Sequence, residues 1–406
     1  IHRYTIGKLR REIEPVTGRD LMRFLSRWQR LEATEKASGP EALVSVLAQL
    51  EGYEAPASAW ESTILPARVD GYEPAWLDDL CLAGRVAWTR LRPRTPNPER
   101  ERHASPVRAT PIVLLPRRAV PIWARFGQAA DDDVALSSRA QAVYDALAQH
   151  GASFFDELAA STRLLRTELE DALGELVAHG LVNSDAFTGL RALLAPASKR
   201  GSSSRRARAR ALMGIEDAGR WSRVRRAPPD PSGEGEAVEH VARTLLRRYG
   251  VVCWRLLARE AHWLPRWRDL LRVFQRLEAR GEIRGGRFVA GLSGEQFALP
   301  EAIALLRKVR NAPHDGNVVC VSGADPLNLA GFVVAADKLP ALASARIAYR
   351  DGLPVATLVG EEITWLEKLE PTEAWRVQQA LAGRVVPAST VPPVEALVGL
   401  HRSRHH

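Results

Sequence analysis

The sequence predicts a mainly α fold with small β elements, an α+β chain of several modules, and three observations carry that prediction. Its 406 residues exceed what one ordinary domain holds. Apolar residues recur at helical spacing over much of the first three hundred positions. The same punctuation also closes segment after segment. A leucine, then a glycine, then an apolar residue two positions on appear in LDDLCLAGRV (77–86), LGELVAHGLV (173–182) and FQRLEARGEI (274–283). Repetition of a small unit argues for tandem copies that share a core.

The copy written most clearly runs from Tyr249 to Pro300. Leu256, Leu257 and Ala258 suggest a short helix. A second helix spans about Trp267 to Arg280, with Leu270, Leu271, Val273, Phe274 and Leu277 on one face. Gly281 stands where a left-handed cap ends it. Glu282-Ile283-Arg284, Gly285-Gly286 and Arg287-Phe288-Val289 follow, and two glycines between β-prone residues predict a two-residue hairpin. Helix, helix, cap and hairpin make a winged helix. Its second helix carries Arg268, Arg272, Arg276 and Arg280 at a spacing of four, which places them in one stripe, and Arg284 and Arg287 extend the charge into the hairpin. A cationic stripe on the helix before a wing suits phosphates and base edges. The plainer alternative is a solvated face partly neutralised by Glu278.

Earlier copies follow the same plan. Residues 1–38 read as a helical segment, from about Leu9 to Arg30 with a break near Pro15, belonging to a winged-helix module. Residues 39–126 form the next module, with helices at Glu41–Leu50, Pro56–Trp60 and Pro74–Cys81 and strands at Val86–Leu91 and Thr110–Leu115. Between those strands, 92–106 is rich in Pro and Arg and reads as an exposed loop. Residues 127–198 repeat the plan with helices at Ser137–Gln149, Ser153–Ala159 and Thr167–Ala178. The helix before Gly180 carries Glu168, Glu170, Asp171 and Glu175, and that before Gly84 carries Asp78 and Asp79. Acidic helices repel phosphates, so these two modules read as spacers or protein contacts.

Charge is concentrated in one place. The formal net charge is +9, and Lys199–Arg226 alone holds ten basic residues against Glu216 and Asp217, a balance of +8. Residues 199–235 read as a basic linker, an arm suited to gripping a phosphate backbone. Within it Gly219–Val224 suggests a short strand, with Arg220, Trp221 and Arg223 as candidate DNA contacts. A module at 236–312 holds the arginine stripe. After it come short strand candidates at Asn317–Val321, Gly331–Ala335, Ala345–Arg350, Val355–Val359 and Glu362–Trp365, with Asp351-Gly352 as a hairpin turn. Several short strands at even spacing predict a C-terminal β-barrel over 313–385. A helix at Pro371–Leu381 and a tail at 386–406 complete the chain.

Cys81, Cys253 and Cys320 stand alone, so neither a disulfide framework nor zinc-ligand spacing is present, and no metal site is expected. No apolar run reaches the ~18 residues of a membrane span, and a cytoplasmic, nucleoid-associated protein is expected. No Gly-x-x-x-x-Gly-Lys-Ser/Thr loop occurs, so no ATPase and no cofactor is expected in this stretch. Asp156-Glu157-Leu158-Ala159 sits in a predicted helix and reads as structural. Ser322-Gly323-Ala324-Asp325-Pro326-Leu327-Asn328 is the one motif with catalytic potential. A carboxylate at Asp325 between two strands could orient water or stabilise an oxocarbenium-like cation; the alternative is an Asx-turn. The chain opens at Ile1 in mid-pattern, which reads as a piece of a longer protein.

The blocks IHRYTIGKLRREIEPVTGRDLMRFLSRWQRL, EAPASAWESTILPARV, GRWSRV, LEARGEIRGGRFVAGLSGEQFALPEAI and SGADPLNLAG resemble the C-terminal part of the bacterial large helicase-related (Lhr) family. The resemblance covers nearly the whole chain and is weakest at 201–240 and in the last fifteen residues. It implies tandem winged helices followed by a β-barrel, at the end of an ATP-dependent DNA repair helicase. ATP and Mg would be handled by the motor of the same protein, with which this region would associate. It further implies DNA binding and homo-oligomerisation. The tail is similar in turn to DNA glycosylases that flip alkylated bases, and a uracil-DNA glycosylase activity is associated with the family's C-terminal region. The Gln-x-Gln, Gln-x-Asp and Gly-Gln-Asp-Pro-Tyr motifs of such enzymes do not occur here.

Overall fold

The computed structural model describes residues 14–92, 107–127, 135–195, 215, 219–224 and 233–383. The Pro- and Arg-rich loop after Arg92, most of the basic 199–235 stretch, the 386–406 tail and the first turns of the expected helix at 9–30 lie outside the described residues. Two compact units divide the chain. A terminal unit gathers residues 1–36, 245–260 and 271–406, and a middle unit holds 37–244 and 261–270. The first described helix of the terminal unit is α1 (Gly18–Trp28).

The middle unit contains two modules of one topology. In the first, α2 (Pro40–Gln49) leads to β1 (Ala55–Pro56). A helical run, α3, follows: α over Ala57–Ala59, π over Trp60–Ile64 and α over Leu65–Arg68. Then come α4 (Pro74–Leu82), β2 (Val86–Thr89) and β3 (Pro111–Pro116). Gly84, at φ 68°, ends the turn after α4 in the left-handed conformation the sequence predicts. The last strand lies in the middle, giving the order β1-β3-β2. This is a winged helix. Beyond it, α5 (Val120–Gly127) drives Trp123 into the core, where its indole donates to Glu51 Oε1 at 2.8 Å. A Cβ on Gly52 would lie 2.2 Å from that ring, so only glycine fits there.

The second module repeats the plan with α6 (Ser138–His150), capped by the Ser137 hydroxyl, α7 (Phe155–Thr162), α8 (Arg166–Ala178) and β4 (Val182–Ser184). Helix α9 (Phe187–Leu194) follows, and then β5 (Trp221–Arg223). Strand β5 pairs with β4, Ser184 opposite Trp221, and bridges Ser153 on its other side. The last strand is central again. The stretch expected as a linker therefore contributes the third strand of this module, and the chain from 185 to 220 connects two paired strands. Trp221, expected to contact DNA, is fully buried, with its ring edge-on to Trp88 at 6.5 Å. Trp88 in turn donates its indole N–H to the Ala186 carbonyl at 3.1 Å. The two modules are thus joined by interlocked indoles, because burying such large rings outweighs any solvent role.

In the terminal unit, α10 (Glu234–Tyr249), which starts in the middle unit, delivers Leu245, Leu246 and Tyr249 to the core. Strand β6 (Val251–Cys253), a 3-10 turn at Leu256–Arg259, α11 (Trp267–Ala279), whose first turn falls in the middle unit, β7 (Arg284–Gly286) and β8 (Gln296–Ala298) follow, with sheet order β6-β8-β7. The expected Gly285-Gly286 hairpin is not formed. Both glycines lie inside β7, paired with Phe297 and Gln296, and the positive-φ residues of the turn are Gly291 and Gly294. The wing is therefore longer than a two-residue turn. Val16 adds to it, bonding backbone to backbone with Phe288 and Ala290. Helix α12 (Pro300–Asn311) closes the module. Helix α1 packs on it and serves two helix ends. Buried Arg23 donates to the carbonyls of Val309, Ala312 and Pro313, while Trp28 and Gln29 cap Arg247 and Arg248. Cationic and amide donors at helix C-termini satisfy carbonyls the helix leaves open.

The last segment forms an antiparallel meander in the order β9 (Val318–Ser322), β10 (Arg346–Arg350), β11 (Leu353–Val359), β12 (Glu362–Trp365). Asp351 and Gly352, at φ 47° and 82°, make the predicted tight turn. The expected β-barrel does not appear among the described residues: the meander is open, and β9 and β12 do not pair. Gly331–Ala335 is no strand but a turn with a single bridge from Ala330 to Val334. In place of closure, α13 (Pro371–Leu381) covers one face through Val377 and Leu381. Trp221→Ala should cost the middle unit about 3–5 kcal/mol, read as a lowered urea midpoint, with Trp221→Phe recovering part of it.

Candidate nucleic-acid interface

Three modules share a topology, so each has one helix in the position before its second strand: α4, α8 and α11. Their chemistry differs. Helix α4 has no basic residue and is covered by α9. Asp78, buried on α4, accepts from the Thr188 backbone N–H at 2.7 Å and from Arg191 at 2.8 Å. Arg191 also grips Glu61 through two bonds, at 2.7 and 2.8 Å. Burial works against the guanidinium charge, but Glu61 and Asp78 outweigh it and raise the Arg191 pKa further. A helix locked this way cannot enter a groove.

Helix α8 is largely buried, and two of its acids serve as caps. Glu175 accepts from the Ser137 N–H and hydroxyl, Glu168 from the Leu165 N–H, and Glu170 pairs with Arg166. Of the acidic residues that argued against DNA contact in these two helices, Asp78 is thus a structural lock on α4 and Glu168 and Glu175 are helix caps, while Asp79 and Asp171 are exposed.

Helix α11 is different. Arg268, Arg272, Arg276 and Arg280 are all exposed along its outer side, while Leu270, Val273, Phe274 and Leu277 are buried on the inner side. Arg284 on β7 and Arg287 at the wing root are exposed as well. Carboxylates sit near the stripe: Asp269 lies 3.7 Å from Arg268, and Glu282 lies 3.6 Å from Arg280. Such solvent-exposed pairs are weak and yield to phosphates. Glu278 is turned to structure, accepting the Gly285 N–H at 3.0 Å.

The wing beyond Arg287 is held by a residue to which sequence reasoning gave no role. Gln296, buried on β8, accepts from the N–H groups of Phe288 and Val289 at 2.9 and 2.8 Å. It donates to the carbonyls of Val289 and Leu292, both at 3.0 Å. A polar residue at a position that must face the core is the signal that could have found it.

The other expected contacts fall elsewhere. Arg220 pairs with Asp185 at 3.1 Å, and Arg223 lies over the Tyr144 ring, 4.2 Å from its centroid, while donating to the phenol oxygen. Both belong to the middle unit and help seat β5. Asp325, the catalytic candidate, is 1% exposed. Its Oδ1 accepts the Leu327 N–H at 2.9 Å, the Asx-turn alternative, and Arg259 holds the backbone carbonyls of Gly323 and Asp325. A Cβ on Gly323 would lie 2.2 Å from the Pro340 carbonyl oxygen, which shows how tightly this loop is closed. The carboxylate is buried, and the bond it accepts is a turn-forming one. Burial pushes the Cys81 thiol up to about 12, which leaves it protonated at neutral pH. Among the described residues no three His, Cys, Asp or Glu side chains cluster to hold a metal, and no helix is long and apolar enough to cross a membrane.

Three modules of one topology, one of them with an open cationic helix, define a tandem winged-helix protein. Two ranges match models described as large helicase-related protein, winged-helix domain: residues 16–117 and 231–318. The chain belongs to the large helicase-related (Lhr) family. It is 28% identical over 386 residues to the Lhr helicase/probable uracil glycosylase of Mycolicibacterium smegmatis, covering 90% of this chain and 24% of that protein. It is 30% identical over 319 residues to the Lhr helicase/uracil glycosylase of Escherichia coli, covering 72% of this chain and 20% of that protein. The chain therefore spans a quarter or less of the relatives it matches.

Gln296→Leu should speed amide exchange at Phe288 and Val289 at least tenfold, with α12 unchanged, and lower stability by about 2 kcal/mol or more, since it orphans buried N–H groups. Hydrogen-exchange mass spectrometry reads the first, and urea unfolding the second.

Proposed function

We propose that this chain is the DNA-binding accessory region of an ATP-dependent repair helicase, meeting DNA through α11 and the wing of the third module. One observation carries the reading: of three topologically equivalent helices, α11 alone presents an exposed row of arginines, while α4 is covered and α8 is buried. Arginines spaced by four along one helix face match a phosphate backbone, and a wing places further donors beside it. Contacts of this kind set affinity and register on any sequence. The basic 199–226 segment adds sequence-independent attraction, the motor of the same protein supplies ATP hydrolysis, and the region self-associates.

A second reading is base excision. It is favoured by the names of both relatives, each a helicase and a uracil glycosylase. Extrusion of a base and hydrolysis of its bond to the sugar would need a carboxylate or an activated water at an open face. Asp325 offers no open face. Incubation of the chain with a uracil-containing single strand, followed by alkali, tests the activity, and Asp325→Asn should leave any product formed undiminished. Loss of product in Asp325→Asn, with unchanged melting, would restore that residue to catalysis.

The binding reading is tested by anisotropy on a labelled duplex across a salt series. Replacing Arg272, Arg276 and Arg280 together by Ala should weaken binding about tenfold or more and reduce the slope of log K against log salt by about 2–3. Unchanged affinity and slope would remove α11 from the interface.

A further inference from the structure

Beside the wing, the terminal unit contains an open groove of about 510 Å³. One side is the wing itself, at Gly291–Ser293. The other is the turn at Gly331–Ala336, and Trp254 and Arg255 lie in between. This volume falls within the ~300–1,000 Å³ of typical ligand sites. Its lining contains one charge, the cation of Arg255, and no carboxylate.

Its aromatic residues are held in place. Trp254 is 39% exposed, an unusual position for an indole in a protein that buries most of its large rings. Its Nε1 donates to the Ser293 carbonyl at 3.1 Å, so the polar edge is satisfied by the wing while part of the ring surface remains open. Gly294 permits this seat: a Cβ there would lie 3.2 Å from the indole, at a φ of 87°. Arg255 donates from Nε to the Phe332 carbonyl at 3.1 Å and sets its guanidinium 5.6 Å from the Trp254 centroid. Across the groove, Lys338 stands 4.7 Å over the Phe332 ring. Two aromatic rings, each attended by a cation, line a cleft whose other walls are small or apolar.

We propose that this groove takes an unpaired nucleotide, stacking its base on Trp254 or Phe332 and pairing its phosphate with Arg255. The inference rests on the DNA-binding reading above and names the substrate form that the site selects: a single strand, or a displaced base beside a duplex held on α11. Two observations favour this occupant over an apolar peptide. The groove's charge is wholly positive, and it is continuous with the wing whose root carries Arg287. Stacking on an aromatic platform works for every base, because each has a π-face, and a neighbouring guanidinium serves the backbone.

The test uses the whole chain and two labelled probes, an oligothymidylate and a matched fully paired duplex. Trp254→Ala should weaken the single strand about tenfold and leave the duplex within about twofold, while Trp254→Phe keeps most single-strand affinity. Melting temperature of each variant controls for folding. The inference is overturned if Trp254→Ala binds the single strand like the parent chain, or loses both probes alike, as it would if the ring only braced the wing. If the duplex binds with the arginine dependence described above but the single strand is indifferent to Trp254, the groove fails and the DNA-binding reading stands. If the parent chain binds neither probe, both fall. Displacement of neither probe by nucleotides but of both by an apolar peptide would assign the groove to a protein partner and also overturn it.

Discussion

The buried amide of Gln296 is the constraint on which the arginine-bearing side of the third module depends. A glutamine side chain offers two donors and two lone-pair directions. Here all four are used, by the N–H groups of Phe288 and Val289 and the carbonyls of Val289 and Leu292. Turning the amide over would oppose donor to donor and acceptor to acceptor at every bond, so one orientation is fixed. That orientation sets where the wing leaves the sheet. From it follow the exposure of Arg287, the carbonyl that holds Trp254, and one wall of the groove beside it.

One topology used three times has been given three electrostatic fates. On α4 a carboxylate was sealed by an arginine from α9 and by a backbone N–H, which converts a reading helix into a packing surface. On α8 Glu168 and Glu175 were turned back on helix ends, where negative charge is favourable. Helix α11 kept its cations outward. The division follows from where the insertions between second and third strands lead. The longer one, at 185–220, brings α9 back over the first module. The short one, at 287–295, leaves α11 uncovered.

Much of this could be read in advance from local signals. Helices α2, α4, α6, α8, α11 and α13, the caps at Gly84, Gly180 and Gly281, the Asp351-Gly352 turn and the arginine stripe all depend on neighbours within a few residues, and each stands close to where the sequence places it, whereas α5, α9 and α10 were not read from it. Non-local features were not legible. Trp221 looks like a surface aromatic in a basic stretch, and only its pairing with Ser184 and Ser153, far back in the chain, buries it. Gly285-Gly286 carries the composition of a turn, yet the register with Phe297 and Gln296 makes it a strand. Even strand spacing suggested a barrel, but spacing cannot tell whether first and last strands meet. Asp325 was weighed as catalyst or turn; the turn bond from the Leu327 N–H is local, but the burial of its carboxylate comes from packing that the motif does not show.

The central strand of the second module has a consequence for how the chain is made. Strand β5 closes a sheet whose other members, Ser153 and β4, are synthesised long before it. Until residue 221 emerges, β4 presents an unpaired edge and Trp88 lacks the ring it packs against. Contacts between residues so far apart in sequence raise the loop entropy that folding must overcome, and they slow it. The middle unit is therefore most open to strand-edge association while the 185–220 segment is still being added. A fragment cut at the compositional boundary near 199 would remain permanently in that condition, with an edge strand and a large apolar surface exposed to other chains.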